Sequence, residues 1–443
     1  MSSRIASRIA IGVFVGVMAA GSGVVGASAV GLFSSPTGSL NPEAYSILPP
    51  KEVSPAGGLG SVDRTLLPDA ARIQKGLDDL DSTGVGTVCF SVLDLAGSQV
   101  AGERVDSNQV PASSWKVLTA MAVLSGYGSN HRFTTTVVAS ASGVVLVGGG
   151  DPYLTAATPF HPGQARIQDL ADQTAERLKR AEHTSIVLGY DDSLFAGPQW
   201  SPDWTPDLSV DVSPISALSV DPHGSPSSDT SAAAASTFRN LLVERGIEVT
   251  AVQAQPASSG AAVLGQVESL PLGVIVQQVL LISDNDAAEV LFRHVSVAAG
   301  LDGSFTSAQS ALETYLVSQG LWTSGISISD GSGLSLKNRV SALVLASAIR
   351  VVLNNPQLGD VFKGLPVAGV DGTLPSRFDD PDEADGRGVV RAKTGTHDYV
   401  RTMTGFAQTS SGAVVVFSFL VSDVTSHPVT VNWLDEAASI LAS

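Results

Sequence analysis

The chain has 443 residues, with 25 Lys+Arg against 42 Asp+Glu and a formal net charge of −17. A field of that sign repels a phosphate backbone, and no long basic run offsets it, so nucleic acid is excluded as the default partner. A hydrophobic fraction of 44% with only 15% charged residues supplies a large core and excludes a disordered chain.

Arg4 and Arg8 precede the uncharged run Ile9–Phe33, which contains the small-x-small site Ala27-Ser28-Ala29. Residues 1–33 therefore have the form of a cleaved signal peptide. They are also long enough, at about 20 residues per bilayer crossing, to stay as an N-terminal membrane anchor with the basic end inside. Both readings place the rest of the chain outside the cytoplasmic membrane, secreted or held on its outer face. Residues 34–60 are a Pro/Gly/Ser-rich spacer.

Globular patterning begins near Arg64. Ile73, Leu77 and Leu80 predict a helix, and Gly86 to Leu95 alternates as a strand that turns at Leu95–Ser98 into a second strand through Arg104. Cys89, in the run Val85 to Leu93, is the one cysteine. It reads as a small buried apolar residue, and no intrachain disulfide or cysteine-based zinc site can form. A buried helix with Ser113 at its start then carries Val117, Leu118, Met121 and Leu124 and ends at Gly126 and Gly128.

Residues 131–257 differ in texture. Short β-rich runs (Thr134–Val138, Val144–Val147, Ile186–Tyr190), the turn Gly148-Gly149-Gly150-Asp151-Pro152 and one amphipathic helix from Gln164 to Arg180 predict an inserted α+β domain. Helical patterns dominate from Leu270 to Leu353. Strands at Arg401–Gln408 and Ala413–Val421 and a closing helix over Val431–Ala442 follow. The predicted organisation is a catalytic domain split between 61–130 and 258–443, with 131–257 inserted.

The chemistry concentrates in three short motifs. Among the lysines only Lys116 has a serine three positions before it, as Ser113-Ser114-Trp115-Lys116. On a first helical turn these residues share a face, so the amine reaches the hydroxyl and the helix N-terminus favours a developing alkoxide. If burial keeps the lysine neutral, it takes the serine proton and the pair becomes a nucleophile with its base built in. The bland alternative is that Ser113 caps the helix and Lys116 is a solvated surface residue. Ser283-Asp284-Asn285 and Lys393-Thr394-Gly395-Thr396 follow in order. Ser-x-x-Lys, Ser-x-Asn and Lys-Thr-Gly in that order are shared by penicillin-binding proteins and serine β-lactamases.

Together with Pro111-Ala112-Ser113, Gly148 to Pro152, Ala287-Ala288-Glu289 and Asp330-Gly331-Ser332-Gly333-Leu334-Ser335, these motifs make the chain from about Arg64 onward resemble the low-molecular-mass class C penicillin-binding proteins. That is the D-alanyl-D-alanine carboxypeptidase/endopeptidase family, peptidase family S13. The resemblance implies a multidomain α+β fold of the penicillin-binding-protein/serine β-lactamase type, an antiparallel sheet with helices, carrying an extra domain between its first two motifs. It implies that peptidoglycan stem peptides ending in D-Ala-D-Ala are the substrates and that β-lactams are covalent inhibitors. Ser113 then attacks the penultimate D-alanine carbonyl with Lys116 as base, Ser283 relays a proton, and Asn285 holds the substrate backbone. Lys393 supplies positive charge, Thr394 and Thr396 supply hydroxyls near the terminal carboxylate, and Gly395 completes the third motif. No cofactor is implied.

Other readings stay open. The histidines show no His-x-x-x-His spacing, which argues against a metal site, and His397 reads as a loop residue beside the third motif. A serine β-lactamase shares the acylation chemistry, but Glu289, Glu313 and Glu383 all lack the Glu-x-x-x-Asn context of the class A deacylating glutamate. A wall-binding protein that lost the reaction has no need of Lys116 and Lys393 together. The balance of carboxypeptidase and endopeptidase activity depends on pocket shape.

Overall fold

A computed structural model describes residues 65–222 and 227–443. The expected signal or anchor segment (1–33) and spacer (34–60) lie outside the described residues. In chain order these residues run through helix α1 (Ala70–Asp79), strands β1 (Thr87–Asp94), β2 (Gln99–Glu103) and β3 (Asn108–Gln109), and helix α2 (Lys116–Tyr127). Then come β4 (Thr134–Ser140), β5 (Gly143–Val147), α3 (Ile167–Arg180), β6 (Ser185–Asp191), α4 (Thr230–Glu244), β7 (Glu248–Ala254) and β8 (Val263–Glu268). Helices α5 (Leu272–Ile282), α6 (Asn285–Ala298) and α7 (Phe305–Ser318) lead to β9 (Val340–Ser341), α8 (Ala342–Asn354) and α9 (Gly359–Gly364). Strands β10 (Arg391–His397), β11 (Val400–Gln408) and β12 (Val414–Ser422) and helix α10 (His427–Ala442) complete the chain.

The two ends of the sequence meet in one five-stranded sheet of order β10-β11-β12-β1-β2, antiparallel throughout. Strand β12 shows why it is central. Val415, Phe417, Phe419 and Val421 enter the core shared with α1 and α10, while Val414, Val416 and Leu420 enter the core built on α2, α5, α6 and α8. Side chains alternate between faces, so a strand buried on both reads as a continuous apolar run. Each fully buried phenylalanine contributes on the order of 2 kcal/mol. Cys89 is fully buried in β1, within the apolar core.

A second sheet has the order β7-β6-β5-β4-β8, with β5–β6 and β6–β7 parallel and β4 antiparallel to both β5 and β8. Leu170, Ala171 and Leu178 of α3 and Ala234, Phe238 and Leu242 of α4 cover it. Two expectations are corrected here. The segment holds two covering helices rather than one, because the Ala/Ser-rich α4 has helix propensity without sharp apolar periodicity; its clearest signal is Asp229, whose side chain caps the amides of Ser231 and Ala232. The sheet also extends past residue 257, since β8 pairs with β4 and buries only Gly265, too little alternation to mark a strand.

Candidate active site

Ser113 sits on a single 3₁₀ turn, Ala112–Trp115, that feeds directly into α2. Ala112 takes φ +44, a left-handed conformation that costs a non-glycine residue on the order of 1 kcal/mol or more and persists where neighbours enforce it. Those neighbours are visible. Ser114 Oγ lies 2.8 Å from Thr402 Oγ1 on β11, and Thr402 Oγ1 donates to the Pro111 carbonyl at 2.9 Å. On the other side Gly333, at φ +87, packs so closely that a Cβ there would lie 2.0 Å from the Ala112 oxygen.

Lys116 is the first residue of α2 and is fully buried. Its Nζ donates to Ser113 Oγ at 2.9 Å, to Asn285 Oδ1 at 2.7 Å and to the Ser332 carbonyl at 3.0 Å. Burial pulls the amine down to about 8, against the opposing pull of Glu289, Asp284 and Asp330. This is neither a capping serine nor a solvated lysine; Ser113 makes no side-chain cap to the helix.

The Ser332 carbonyl is held from behind. Glu289 of α6, fully buried, accepts the Gly331 amide at 3.0 Å and the Ser332 amide at 2.6 Å. Asp330 accepts Trp204 Nε1 at 2.9 Å, the amides of Gly333 and Ser335, and Asn338 Nδ2. Burial pushes both carboxyl groups above their ordinary range.

Ser283 closes α5 in a left-handed conformation, φ +62, and lines the cleft without a hydrogen bond to Lys116. Asp284 caps α6 through the Ala287 amide and accepts the Tyr153 hydroxyl at 3.1 Å. Tyr153 follows the Gly148–Pro152 turn, so a loop from the β4–β5 region braces the second motif. Asn285 has both ends of its amide engaged, Oδ1 by Lys116 and Nδ2 on the Asp211 carbonyl at 2.9 Å.

Strand β10 carries the third motif along the sheet edge. Gly395 allows its approach to the Ser113 turn: a Cβ there would meet Thr402 Oγ1 at 2.1 Å and the Pro111 oxygen at 2.9 Å. Lys393 is fully buried and donates to the Thr394 carbonyl at 2.7 Å; burial and the nearby Lys116 hold its amine well below the usual lysine range. Thr394 Oγ1 lies 2.8 Å from Thr373 Oγ1. His397 is the last residue of the strand rather than a loop residue.

A cleft of about 280 Å³ gathers Ser113, Ser283, Thr394, Gly395 and Thr396 on its walls. Lys116 and Lys393 stand behind those walls, and Asn285 joins through Lys116. Glu289 and Ser332 lie in segments that contribute to the family resemblance, without a role assigned to either side chain, while nothing in the motifs pointed to Thr402, Arg377 or Arg401, which also line the cleft. Among the described residues no cluster of His, Cys, Asp and Glu is arranged to hold a metal ion, and no helix is long and apolar enough to cross a membrane.

The model of the D-Ala-D-Ala carboxypeptidase 3 (S13) family matches residues 70–226 and 222–443. A carboxypeptidase of Mycobacterium tuberculosis is 33% identical over 388 residues, covering 83% of this chain and 83% of the relative. A D-alanyl-D-alanine carboxypeptidase of an Actinomadura species is 27% identical over 447 residues, 79% of this chain and 80% of the relative. In fold, the chain is similar to the crystal structure of penicillin-binding protein 4 from Haemophilus influenzae, with a TM-score of 0.68 at 19% identity over 84% of this chain and 98% of that one. The fold is thus of the penicillin-binding-protein type expected from the motifs. With the family match running through all three motifs and both sheets, the chain belongs to the D-Ala-D-Ala carboxypeptidase 3 (S13) family.

Proposed function

We propose that this chain is a serine-type D-Ala-D-Ala carboxypeptidase that trims peptidoglycan stem peptides through an acyl-enzyme on Ser113. The observation that carries the reading is the Lys116 amine: fully buried, 2.9 Å from Ser113 Oγ, and drawn down to about 8, so that near neutral pH a useful fraction is unprotonated. A general base works best with a pKa near the operating pH.

Ser113 Oγ attacks the carbonyl of the penultimate D-alanine as its proton passes to Lys116. The backbone N–H groups of Ser113 and Thr396 receive the oxyanion, each such donor being worth roughly 3 kcal/mol. The C–N bond then breaks, Ser283 passes the proton from Lys116 to the leaving amine, and D-alanine departs. Water hydrolyses the ester and restores Ser113. Asn285 keeps the Lys116 amine aimed at Ser113 and presents its amide to the substrate backbone. β-Lactams acylate the same hydroxyl.

The Arg4–Phe33 segment supports an extracytoplasmic site of action, where the stem peptides are. The antiparallel sheet with its helices forms the catalytic domain, and the β4–β8 sheet an inserted domain that braces the second motif through Tyr153. Incubation with a pentapeptide ending in D-Ala-D-Ala tests the reading: free D-alanine is expected from the wild type and not from Ser113→Ala. A peptide left intact by the wild type, or cleaved equally by both, refutes it. Faster turnover of a crosslinked muropeptide than of the pentapeptide assigns it as an endopeptidase instead.

A further inference from the structure

Between β6 and α4, residues 196–215 leave the second sheet and pack on the helices of the catalytic domain. Trp204, Leu208, Val212 and Ile215 of this strap are buried in the core built on α2, α5, α6 and α8, not in the core beneath α3 and α4. Helix α6 grips the strap with two side chains about two turns apart, and so on one face. Asp286 accepts the Ser213 amide at 2.6 Å. Arg293, fully buried, donates to the carbonyls of Ile215 at 2.8 Å and Ala196 at 2.5 Å, with its guanidinium against the rings of Phe195 and Phe305.

The strap in turn reaches both acceptors that stand behind Lys116. Its Asp211 carbonyl takes Asn285 Nδ2 at 2.9 Å. A carbonyl accepts only from the nitrogen end of an amide, so this contact selects the orientation in which Oδ1 faces the lysine. Trp204 Nε1 donates to Asp330 at 2.9 Å, and Asp330 holds the Gly333 and Ser335 amides of the loop that presents the Ser332 carbonyl. An ammonium donates to Ser113, Asn285 and Ser332 alike. A neutral amine has two N–H groups and one lone pair. Once Asn285 Oδ1 and the Ser332 carbonyl take both N–H groups, the lone pair is left facing the Ser113 hydroxyl.

We propose that residues 196–215 are a positioning strap for the base: anchored on α6 by Asp286 and Arg293, the strap fixes the two acceptors of Lys116 and so aims the amine's lone pair at Ser113. Asp286, Arg293 and Trp204 are positioning residues, acting through the Asp211 carbonyl and through Asp330. The inserted segment is thereby part of the acylation machinery rather than a separate module. This inference rests on the carboxypeptidase reading above, in which Lys116 is the base.

The test compares acylation of the full chain by a chromogenic cephalosporin in the wild type, Asp286→Asn and Asp286→Ala. Both variants lose the charge, but only Asp286→Asn keeps an acceptor for the Ser213 amide. The charges that act on Lys116, from Glu289, Asp284, Asp330 and Lys393, are the same in both. Asp286→Ala is expected to acylate about tenfold more slowly at saturating drug, the scale of one lost hydrogen bond, with the half-saturating concentration unchanged. Its pH midpoint falls about half a unit to one unit below that of Asp286→Asn, because a loosened Asn285 oxygen supports the ammonium less. Asp286→Asn recovers most of the wild-type rate. Equal rates and midpoints in the two variants, or a change confined to the half-saturating concentration, overturn the proposal. Trp204→Phe keeps an aromatic ring and removes the indole N–H, so it decides the matter if Asp286→Ala does not fold: slowing by a similar factor supports the strap, and a wild-type rate overturns it. A wild-type protein that is not acylated at all removes the carboxypeptidase reading itself, and the strap's role with it.

Discussion

Lys116 gives its shortest hydrogen bond, 2.7 Å, to Asn285 Oδ1 rather than to Ser113, whose Oγ lies at 2.9 Å. The amide oxygen carries no formal charge, so it aims the lysine while favouring the ammonium form far less than a carboxylate would. A carboxylate in the same place attracts the ammonium form. Asn285→Asp is therefore expected to raise the Lys116 pKa by about 1–3 units. Acylation requires the neutral amine, so in the wild type its rate climbs as pH rises through about 8 and falls roughly tenfold per unit below that. In Asn285→Asp the same climb moves to higher pH. Stopped-flow acylation with a chromogenic cephalosporin between pH 6 and 10 reads both profiles, and an unmoved midpoint contradicts the account.

The Ser113 turn is positioned from outside α2. Gly333 at φ +87 leaves no room for a side chain against the Ala112 carbonyl. Gly333→Ala must push that carbonyl aside and move Ser113 relative to Lys116. A displacement near 1 Å costs about a hundredfold in rate. The expected result is acylation slower by one to two orders of magnitude in a protein that still folds, checked by the same kinetics beside a circular-dichroism melt. Wild-type acylation in Gly333→Ala contradicts the packing argument.

Glu289 holds the loop whose Ser332 carbonyl receives Lys116. Removing its carboxyl group strands two buried amides, at about 1–3 kcal/mol each. Glu289→Ala is expected to lose roughly 2–6 kcal/mol in urea unfolding, and Glu289→Gln, which keeps an acceptor, distinctly less. Equal losses in the two variants mean that side-chain volume, not hydrogen bonding, is what matters there.

His294 is buried against Phe133, at a ring separation of 3.9 Å, with Nε2 2.9 Å from the Gly150 carbonyl and Nδ1 without a partner. Burial drags its pKa down to about 3. The unfolded chain takes up this proton from about pH 6.5 downward and the folded chain does not until about 3. Stability is thus lost as pH falls through that window, on the order of a few kcal/mol from this residue. Melting temperatures between pH 7 and 4 are expected to drop more steeply for the wild type than for His294→Asn; parallel curves contradict the assignment.

The candidate Ser113–Lys116 pair was legible because its spacing is local: the two stand one helical turn apart, and Ser283, Asn285 and Lys393 stand out by side-chain identity in a fixed order. The support of that pair was not legible. Lys116 rests on the backbone carbonyl of Ser332, and any residue at 332 presents the same atom; Glu289 acts through backbone amides, which carry no sequence pattern. Arg401 enters the cleft only because the β10–β11 register sets it opposite Thr396, and register is a property of pairing rather than of either strand alone. In the fold, α1 and the β1–β2 hairpin follow their periodicity, whereas α4 and β8 are defined by what they cover and pair with.

The central claim is a covalent acyl-enzyme on Ser113. Among the described residues no carboxylate lines the cleft to activate water against a penicilloyl ester, so the adduct is expected to persist. Intact-mass spectrometry of the protein after benzylpenicillin, followed by peptide mapping, tests this directly. The account predicts one long-lived penicilloyl group on the peptide containing Ser113, absent from Ser113→Ala; an unmodified wild type, an adduct that survives Ser113→Ala, or rapid turnover of the drug contradicts it.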